Sequence, residues 1–552
     1  MKRKLLFLFI IPALLYIVLL PAMPLMEPDE ARYSDIPSLM NSTGDYVTPH
    51  LKHVIYLEKP PLCYWATAIS FKLFGENDFS SRLFAGLCAW GCIILTYFMG
   101  AFFGGEKSGL YSAGVLTTFL FHFVIGRLNI LDLPLAFFVC LAVWSGYRHI
   151  EGGGRGKTRV YLLYLFCALA FLTKGLIGVV FPFAILVLWL LISLRWRDIL
   201  LLFSPVGILI MLAVSSPWLL LAQAANKDFL WFFFVQEHFL RYTTTMHGKE
   251  NSLFYYIPII IAGTLPWCAF LTRTISPRNG GSGMKPSSRN GIDRRFLFTW
   301  IVFIFAFFSL SSSKLVPYMA PLFPPMAVIF GYIFSRYDER EKASAGRSRL
   351  LLLPVIIQSC LFIILLCVPP FLERHHITLG EWLPLIVIPL SLQVLIIFMP
   401  DTVEKRWNGG WFPTIYIISV LFLASLLLPL SHFLTPYKSA YPVTQAARSL
   451  LPAGEELFQY GISLYGIDFY GKIRTPVVDD FGELGYGISK LAPDERSRYF
   501  LKSGDFFRLC REKGEIYCVT KYKRRVEKLE QHIPDVEVLW SNGALYLLRL
   551  RC

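Results

Sequence analysis

Long apolar segments separated by short polar connections dominate the first four fifths of the chain. A helix needs about twenty apolar residues to cross the hydrocarbon core of a bilayer. The pattern predicts about thirteen such spans: 5–26, 82–103, 109–125, 131–148, 160–174, 176–194, 199–222, 252–272, 296–311, 316–335, 350–370, 382–400 and 411–434. The chain is therefore predicted to be an all-α polytopic membrane protein over residues 1–434, followed by a tail without a span.

Composition agrees with this class. The 552 residues are 55% hydrophobic and only 16% charged, whereas a soluble domain carries about 25% charged residues. The first apolar segment follows "MKRK" and is interpreted as an uncleaved span, because no small-residue cleavage site precedes "EPDE". The net charge of +15 reflects basic loops between spans, so no nucleic-acid partner is expected.

The positions of Lys and Arg predict the orientation. Cytoplasmic loops of membrane proteins are enriched in these residues, and every second connection here is basic, among them "GGEKSG", "RHIEGGGRGKTR" and "LRWRD". This predicts an N-terminus in the cytoplasm and places the tail, 435–552, on the opposite side of the membrane. The protein is expected to be a monomer.

Two regions are predicted to lie outside the membrane on the side opposite the cytoplasm. The first loop, 27–81, contains "EARYSDIPSLM" and "PPLCYWATAISFKLFG", which predict helices in the membrane interface; a fully soluble loop is the alternative. The tail contains the strand patterns "ELFQYG", "EIYCVTKY" and "ALYLLRL" and two amphipathic helices, which predict a small α/β domain. Its Cys510 and Cys518 could form a disulfide or remain two buried thiols.

Unusual polar residues collect on this same side of the membrane. Cations near the bilayer surface suit an anionic head group such as a phosphate, and nearby carboxylates suit a base, a metal ligand or a partner for an amine. Each residue alone has a structural explanation: snorkelling of a cation, capping by Asp132, a loop ion pair, or a packed His. The residues are Glu27, Asp29, Glu30, Glu58, Lys59, Arg127, Asn129, Asp132, Lys174, Glu237, His238, Arg241, Lys314 and Tyr318.

Several of these residues stand in recognisable motifs. The segments "DEARY", "EKPP", "RLNILDLP", "FLTKGLIG", "QEHFLRY" and "SSSKLVPY" resemble the protein-mannosyltransferase-like superfamily of integral-membrane C-type glycosyltransferases, over most of residues 20–330. Within the superfamily, they are most similar to the bacterial transferases that move 4-amino-4-deoxy-L-arabinose from undecaprenyl phosphate to lipid A and confer polymyxin resistance. The tail resembles the family only in general layout.

The resemblance implies a C-type glycosyltransferase fold and inversion at the anomeric carbon. It implies an undecaprenyl-phosphate sugar donor and an acceptor that is lipid A or another periplasmic molecule. It also implies a location in the bacterial inner membrane, with the tail in the periplasm. Asp29 resembles the essential loop carboxylate, with Asp132 and Glu30 as further catalytic candidates. Lys59, Arg241, Tyr318 and Lys314 are the candidate contacts of the lipid phosphate.

No cofactor is required by this interpretation, although Glu58 and His238 are candidate ligands of a divalent metal such as zinc. A transferase of mannose or another sugar, acting on protein Ser or Thr or on another glycan, remains open. A lipid transporter is a distant alternative, because the sequence has no repeated halves and no paired broken helices.

Overall fold

The structure is a computed structural model that describes residues 2–240, 252–268, 292–341 and 411–552. The predicted spans 350–370 and 382–400 lie outside the described residues. The chain divides into two compact units. We call the first, which contains Met1–Leu20 and the described residues between Phe84 and Leu426, the helical unit. The second, Pro21–Leu83 with Leu427–Cys552, is the mixed unit.

Apolar helices build the helical unit, and their bounds follow the apolar segments of the sequence. Two of them begin at polar caps: Ser204 Oγ accepts the N–H of Gly207 at 3.1 Å, and Asp293 Oδ1 accepts the N–H of Phe296 at 3.0 Å. The α-helices are α1 (Lys2–Ala13), α4 (Asp78–Thr118), α5 (Leu120–Ile125), α6 (Asp132–Glu151), α7 (Thr158–Lys174), α8 (Ile177–Ile192), α9 (Pro205–Ala225), α10 (Phe229–Trp231), α11 (Tyr256–Gly263), α12 (Arg294–Leu310), α13 (Phe323–Glu341) and α14 (Trp411–Lys438). Helices of other pitch cover Leu14–Val18, Leu20–Ala22, Trp196–Leu202, Phe232–Leu240 and Val316–Leu322.

The described helices give a lower span count than the sequence pattern. Four of them are long and apolar enough to cross a bilayer, and a fifth passes if the bent pair within α14 counts as one span. The predicted spans 82–103 and 109–125 largely correspond to the two helical segments of α4, which meet at a kink at Gly105. Gly105 has φ +82°, a conformation that glycine adopts without steric cost. Thirteen spans are therefore not confirmed, while a largely helical membrane fold is.

The mixed unit combines the first loop with the tail. Its loop part contains α2 (Asp29–Thr43), α3 (Leu62–Phe74) and the short hairpin of β1 (His50–Leu51) and β2 (Val54–Ile55). Its tail part contains strands β3 (Leu457–Tyr460), β4 (Val477–Val478), β5 (Phe500–Leu501), β6 (Glu515–Lys521), β7 (Asp535–Ser541) and β8 (Leu545–Arg551). The tail helices are α15 (Tyr441–Leu450), α16 (Tyr465–Gly471), α17 (Gly485–Ser489), α18 (Pro493–Tyr499), α19 (Ser503–Lys513) and α20 (Lys523–Glu530), with a 3₁₀ turn at Gly482–Leu484.

The tail forms a six-stranded sheet in the order β5-β4-β3-β6-β8-β7. The first four strands are parallel, and β8 pairs antiparallel with both β6 and β7. Side chains of a strand point alternately to the two faces of a sheet. Accordingly Phe458 packs in one core and Leu457 in the other, which covers both faces of the central strands. The predicted α/β tail is confirmed, including its three predicted strands.

The two predicted loop helices are present at α2 and α3, but they differ in their surroundings. Ten of the fifteen residues of α2 are buried, so protein covers this helix along most of its length. In contrast, α3 exposes Ile69, Leu73 and Phe74 at 59%, 70% and 53%. Such an apolar outer side suits a membrane interface, so the predicted interfacial position fits α3 better than α2.

The cysteine pairing differs from both alternatives considered for the tail. Cys510 forms a disulfide with Cys552, with 5.7 Å between their Cα atoms, and Cys518 is a buried free thiol. The register of β8 explains this pairing, because the N–H of Cys552 donates to the carbonyl of Gly514 just beyond α19. Cys510 lies on α19 about one helical turn before Gly514, so this hydrogen bond brings Cys552 next to Cys510. Burial raises the pKa of the Cys518 thiol.

Candidate functional site

The first turn of α2 carries the motif residue Asp29 and its partner Arg32. Acidic side chains are favoured there because the helix dipole is positive at its N-terminus. The Asp29 side chain is half exposed (51%), whereas Arg32 is nearly buried (6%). The Arg32 guanidinium donates to Asp29 Oδ1 and also pairs with Glu483 Oε2 of the tail. A fixed guanidinium therefore holds the exposed carboxylate of Asp29 in place.

Aromatic rings surround the Arg32 guanidinium. Its Cζ lies 5.2, 5.7 and 5.9 Å from the ring centroids of Tyr33, Tyr56 and Tyr465. Cations within about 6 Å of such rings are attracted by the negative ring faces. Arg32 thus gains two carboxylate partners and a set of aromatic neighbours, which together offset the cost of burying its charge.

Glu58 and Lys59 lie in the same network. The Tyr56 hydroxyl is 3.1 Å from Glu58 Oε2 and 3.3 Å from Glu483 Oε2. Lys59 Nζ donates to the carbonyl oxygen of Glu58 at 3.2 Å and lies 3.9 Å from Glu58 Oε2. Burial raises the pKa of the Tyr56 phenol, so it stays a hydrogen-bond donor. The structure therefore brings Asp29, Glu58 and Lys59 into one charged cluster.

Glu30 has a different environment from Asp29. Both its oxygens receive hydrogen bonds from Arg82, at 2.7 Å from Nε and 2.8 Å from Nη2, and Oε2 also accepts the N–H of Met26 at 3.0 Å. Both side chains of this pair are 2% exposed. A carboxylate with these partners holds the chain before α2 in place. The contacts favour a structural role for Glu30 over the predicted catalytic role.

The helical unit contains a second polar group, built on Asp132, Lys174 and Tyr318. Asp132 begins α6 and Lys174 ends α7, positions where the helix dipoles favour a negative and a positive charge respectively. Lys174 Nζ lies 2.5 Å from Asp132 Oδ1 and 4.6 Å from the ring centroid of Tyr318. Lys314 Nζ donates to the carbonyl oxygen of Ser311 at 2.8 Å, in the loop before the 3₁₀ helix that carries Tyr318.

Two predicted site residues cannot be placed in these clusters. Arg241 lies outside the described residues, and His238 belongs to the helical segment Phe232–Leu240 with its side chain outside the described part. Within the described ranges, no three His, Cys, Asp or Glu residues are grouped to hold a metal ion. Glu58 contacts a phenol and an ammonium group, which stabilise a carboxylate without a metal, so we derive no step through one.

A fully buried ion pair joins the first loop to the tail within the mixed unit. Lys52 Nζ lies 2.9 Å from Asp468 Oδ2 and 3.1 Å from Thr475 Oγ1. A second pair joins Asp35 and Arg474 at 2.9 Å. Burial raises the pKa of Asp35 to about 6. These contacts fix α2, and therefore the Asp29 cluster, on the tail.

Glu27 adds a third contact between the loop and the tail. Its carboxylate accepts the N–H of Gly466 at 2.6 Å and of Tyr465 at 3.2 Å. Burial raises the pKa of Glu27 to about 8, against the opposing effect of these two hydrogen bonds. Glu27 belongs to the charged motif at the start of the first loop. Its partners lie more than 400 residues away along the chain, so the sequence pattern around Glu27 could not predict them.

The mixed unit contains an exposed carboxylate, Asp29, in one charged cluster with Lys59, and the fold can be compared with those of known proteins. The fold matches the crystal structure of ArnT from Cupriavidus metallidurans bound to undecaprenyl phosphate, with a TM-score of 0.81, 22% identity, and coverage of 99% of this chain and 97% of that chain. The apo structure of the same protein matches with a TM-score of 0.79. The chain therefore has the fold of ArnT.

Sequence comparison gives the particular resemblance. Over 503 residues, 89% of this chain and 88% of its relative, the chain is 28% identical to the undecaprenyl phosphate-alpha-4-amino-4-deoxy-L-arabinose arabinosyl transferase of Aeromonas salmonicida. It is 25% identical to the protein of that name from Erwinia tasmaniensis, over 97% of this chain and 96% of that protein. Residues 58–221 match the family described as dolichyl-phosphate-mannose-protein mannosyltransferase. The resemblance predicted from the motifs is confirmed.

Proposed function

We propose that this chain is a glycosyltransferase that moves 4-amino-4-deoxy-L-arabinose from undecaprenyl phosphate to a phosphate of lipid A. The observation that carries the proposal is similarity over nearly the whole chain to transferases of this name. The likeness to ArnT supports the fold that such a reaction uses. The donor is a polyprenyl-phosphate sugar, and the reaction takes place on the periplasmic face of the inner membrane.

The reaction is a direct displacement at the anomeric carbon. An oxygen of the lipid A phosphate forms the new bond to that carbon, the bond to the undecaprenyl phosphate oxygen breaks, and the configuration inverts. The nucleophile is already anionic, so it needs no strong general base. Asp29, held by Arg32, then stabilises the positive charge that develops on the sugar ring or pairs with the sugar's amine.

The leaving group acquires negative charge as the bond breaks. Lys59, Arg241, Lys314 and Tyr318 are our candidates for stabilising that charge, because cations and hydroxyls bind phosphate oxygens well. Asp132 is the candidate for orienting them, through its contact with Lys174 beside Tyr318. A divalent metal held by Glu58 and His238 stays part of the proposal only as an option, since the reaction has a complete description without it.

The topology completes the proposal: about thirteen spans, a cytoplasmic N-terminus and the tail, 435–552, as a periplasmic domain of a monomeric enzyme. The Cys510–Cys552 disulfide supports a periplasmic tail, because structural disulfides persist in oxidising compartments. Single cysteines at Arg155, in a basic loop, and at Gly504, on α19, test the sidedness. A membrane-impermeant thiol reagent applied to intact spheroplasts should label the Gly504→Cys variant alone; labelling of Arg155→Cys would contradict the orientation.

A second candidate is transfer of another sugar to a protein hydroxyl, which the match of residues 58–221 favours. In that case Asp29 must help to remove a proton from the acceptor. Purified full-length protein should be incubated with undecaprenyl-phosphate aminoarabinose and lipid A, and the lipids analysed by mass spectrometry. Formation of aminoarabinosyl lipid A supports the proposal, whereas no transfer from this donor, with transfer from a polyprenyl-phosphate mannose to peptide, would replace it by the second candidate.

A further inference from the structure

The tail has a cleft of about 500 Å³ that the proposed transfer reaction does not use. Its walls come from the residues that follow β3 and β4 and from α20. This volume lies in the range of small-molecule sites, which is about 300–1,000 Å³. The cleft belongs entirely to the mixed unit and lies in the six-stranded sheet domain, at the carboxyl ends of its parallel strands.

The topology of the sheet makes this edge a ligand-binding position. From β3 the chain proceeds outward to β4 and then β5, and it returns across the sheet to β6 on the other side of β3. The connections after β3 and after β5 therefore run in opposite directions. In open α/β sheets, ligands bind outside the carboxyl ends of the strands where the order reverses in this way.

A glycine at this edge lets the backbone approach a lining arginine closely. Gly461, directly after β3, has φ +65°, and a Cβ atom there would lie 3.0 Å from Arg525 Nε. The guanidinium of Arg525, which lines the cleft, is therefore held against the backbone at the end of β3. Asp479, after β4, accepts hydrogen bonds from the N–H of Ser503, at 3.0 Å, and from its hydroxyl, which fixes the opposite wall.

The charges lining the cleft have both signs. Arg524, Arg525 and Lys528 supply cations from α20, and Asp479, Asp480 and Glu527 supply carboxylates. Arg binds a phosphate group through two parallel hydrogen bonds, and carboxylates accept hydrogen bonds from hydroxyl or amino groups. A ligand that satisfies both sets carries a phosphate together with several hydroxyl or amino groups.

We propose that this cleft is a binding site for a phosphorylated sugar, with its phosphate on Arg524 and Arg525 and its hydroxyl or amino groups on the carboxylates. The ligand is either a soluble sugar phosphate or the phosphorylated saccharide head group of a glycolipid, since both present the same chemistry. The inference stands on the geometry of the tail and does not depend on the proposed transfer reaction.

Calorimetric titration of the purified full-length protein in detergent tests the site, with glucosamine 1-phosphate as the probe. We expect saturable binding that weakens at least tenfold in Arg525→Ala. The same loss is expected in Arg524→Ala, where the replaced side chain is more exposed than that of Arg525. Lys523→Ala removes a cation of the same helix that does not line the cleft, and it should bind as the wild type does. The thermal unfolding temperature of each variant verifies that it is folded.

A competition experiment with lipid A identifies the source of the ligand. Competition by lipid A in the same detergent supports a glycolipid head group, and binding without such competition supports a soluble sugar phosphate. Absence of binding by both compounds would overturn the proposal. Equal affinity in the wild type and in both folded arginine variants would also overturn it, as would inorganic phosphate binding as tightly as glucosamine 1-phosphate.

Discussion

Lys52 Nζ lies 2.9 Å from Asp468 Oδ2, and both side chains are fully excluded from solvent although 416 positions separate them in the sequence. A buried ion pair is expensive to form, but removing one partner is worse because it leaves an uncompensated buried charge. This pair, with Thr475 beside it, fixes the hairpin of the first loop on the tail.

Lys52→Ala should therefore destabilise the mixed unit by about 3–5 kcal/mol. The measurement is the thermal unfolding temperature of the purified protein. Lys513→Ala is the control, because Lys513 pairs with Glu456 at 3.0 Å but both side chains are well exposed, and such pairs contribute less than about 1 kcal/mol. Similar unfolding temperatures for the two variants would show that the buried pair does not stabilise the unit.

Asp29→Asn should abolish transfer and leave the protein folded. The side chain is half exposed and its described partner is Arg32, one turn along the helix, so the loss of charge costs little stability. Asp505→Asn is a closely matched control. Asp505 also lies in the first turn of a helix and pairs with an arginine three residues later, with 54% of its side chain exposed. Wild-type turnover by Asp29→Asn would remove Asp29 from the catalytic assignment.

Glu483→Gln tests whether the tail positions the site through Arg32. The change removes one of two carboxylates that pair with this guanidinium and a neighbour of the Tyr56 hydroxyl. We expect kcat to fall about tenfold or more while KM for the lipid donor changes little, since Glu483 acts through Arg32. A tenfold change corresponds to about 1.4 kcal/mol. An unchanged kcat in a folded variant would mean that Arg32 holds Asp29 without help from the tail.

The stability of the mixed unit should depend on the protonation of Glu27. Its folded-state pKa of about 8 lies above the ordinary value of 4.5, so the folded state binds the proton more tightly. The resulting stabilisation is complete below the ordinary pKa and is lost as the pH rises through about 8.

Thermal unfolding across pH measures this effect. His53 contributes in the opposite direction at lower pH, because burial lowers its pKa from 6.5 to about 4. The informative interval therefore lies between about pH 6.5 and 8. There the wild type should lose more stability than Glu27→Gln, while the exposed variant Glu495→Gln should follow the wild type. Parallel pH curves for the wild type and Glu27→Gln would contradict the assignment.

The sequence predicted the parts of this molecule that depend on local pattern. The strand patterns predicted β3, β6 and β8, and the functional role of Asp29 stays a prediction from the charged motif. The sequence could not predict the neighbours of Arg32, because Glu483 and Tyr465 reach that residue only through the packing of the tail on the first loop. The predicted count of about thirteen spans stays a prediction, since two of the predicted spans, 350–370 and 382–400, lie outside the described residues.

The pairing of Cys510 was beyond local pattern as well. The sequence left open a disulfide between Cys510 and Cys518 or two buried thiols, whereas Cys518 is buried within β6 and the register of β8 brings Cys552 to Cys510. Contacts of this kind depend on strand order, which short segments do not encode. The sequence therefore predicted individual strands and motifs but not the long-range contacts that hold them together.

The most direct test of the proposed function is mass spectrometry of lipid A from the native host, with and without this gene. The account predicts that deletion removes an aminopentose-sized addition from a lipid A phosphate, and that the wild-type gene, but not Asp29→Asn, restores it. Lipid A that is unchanged by the deletion would contradict the proposed substrate pair.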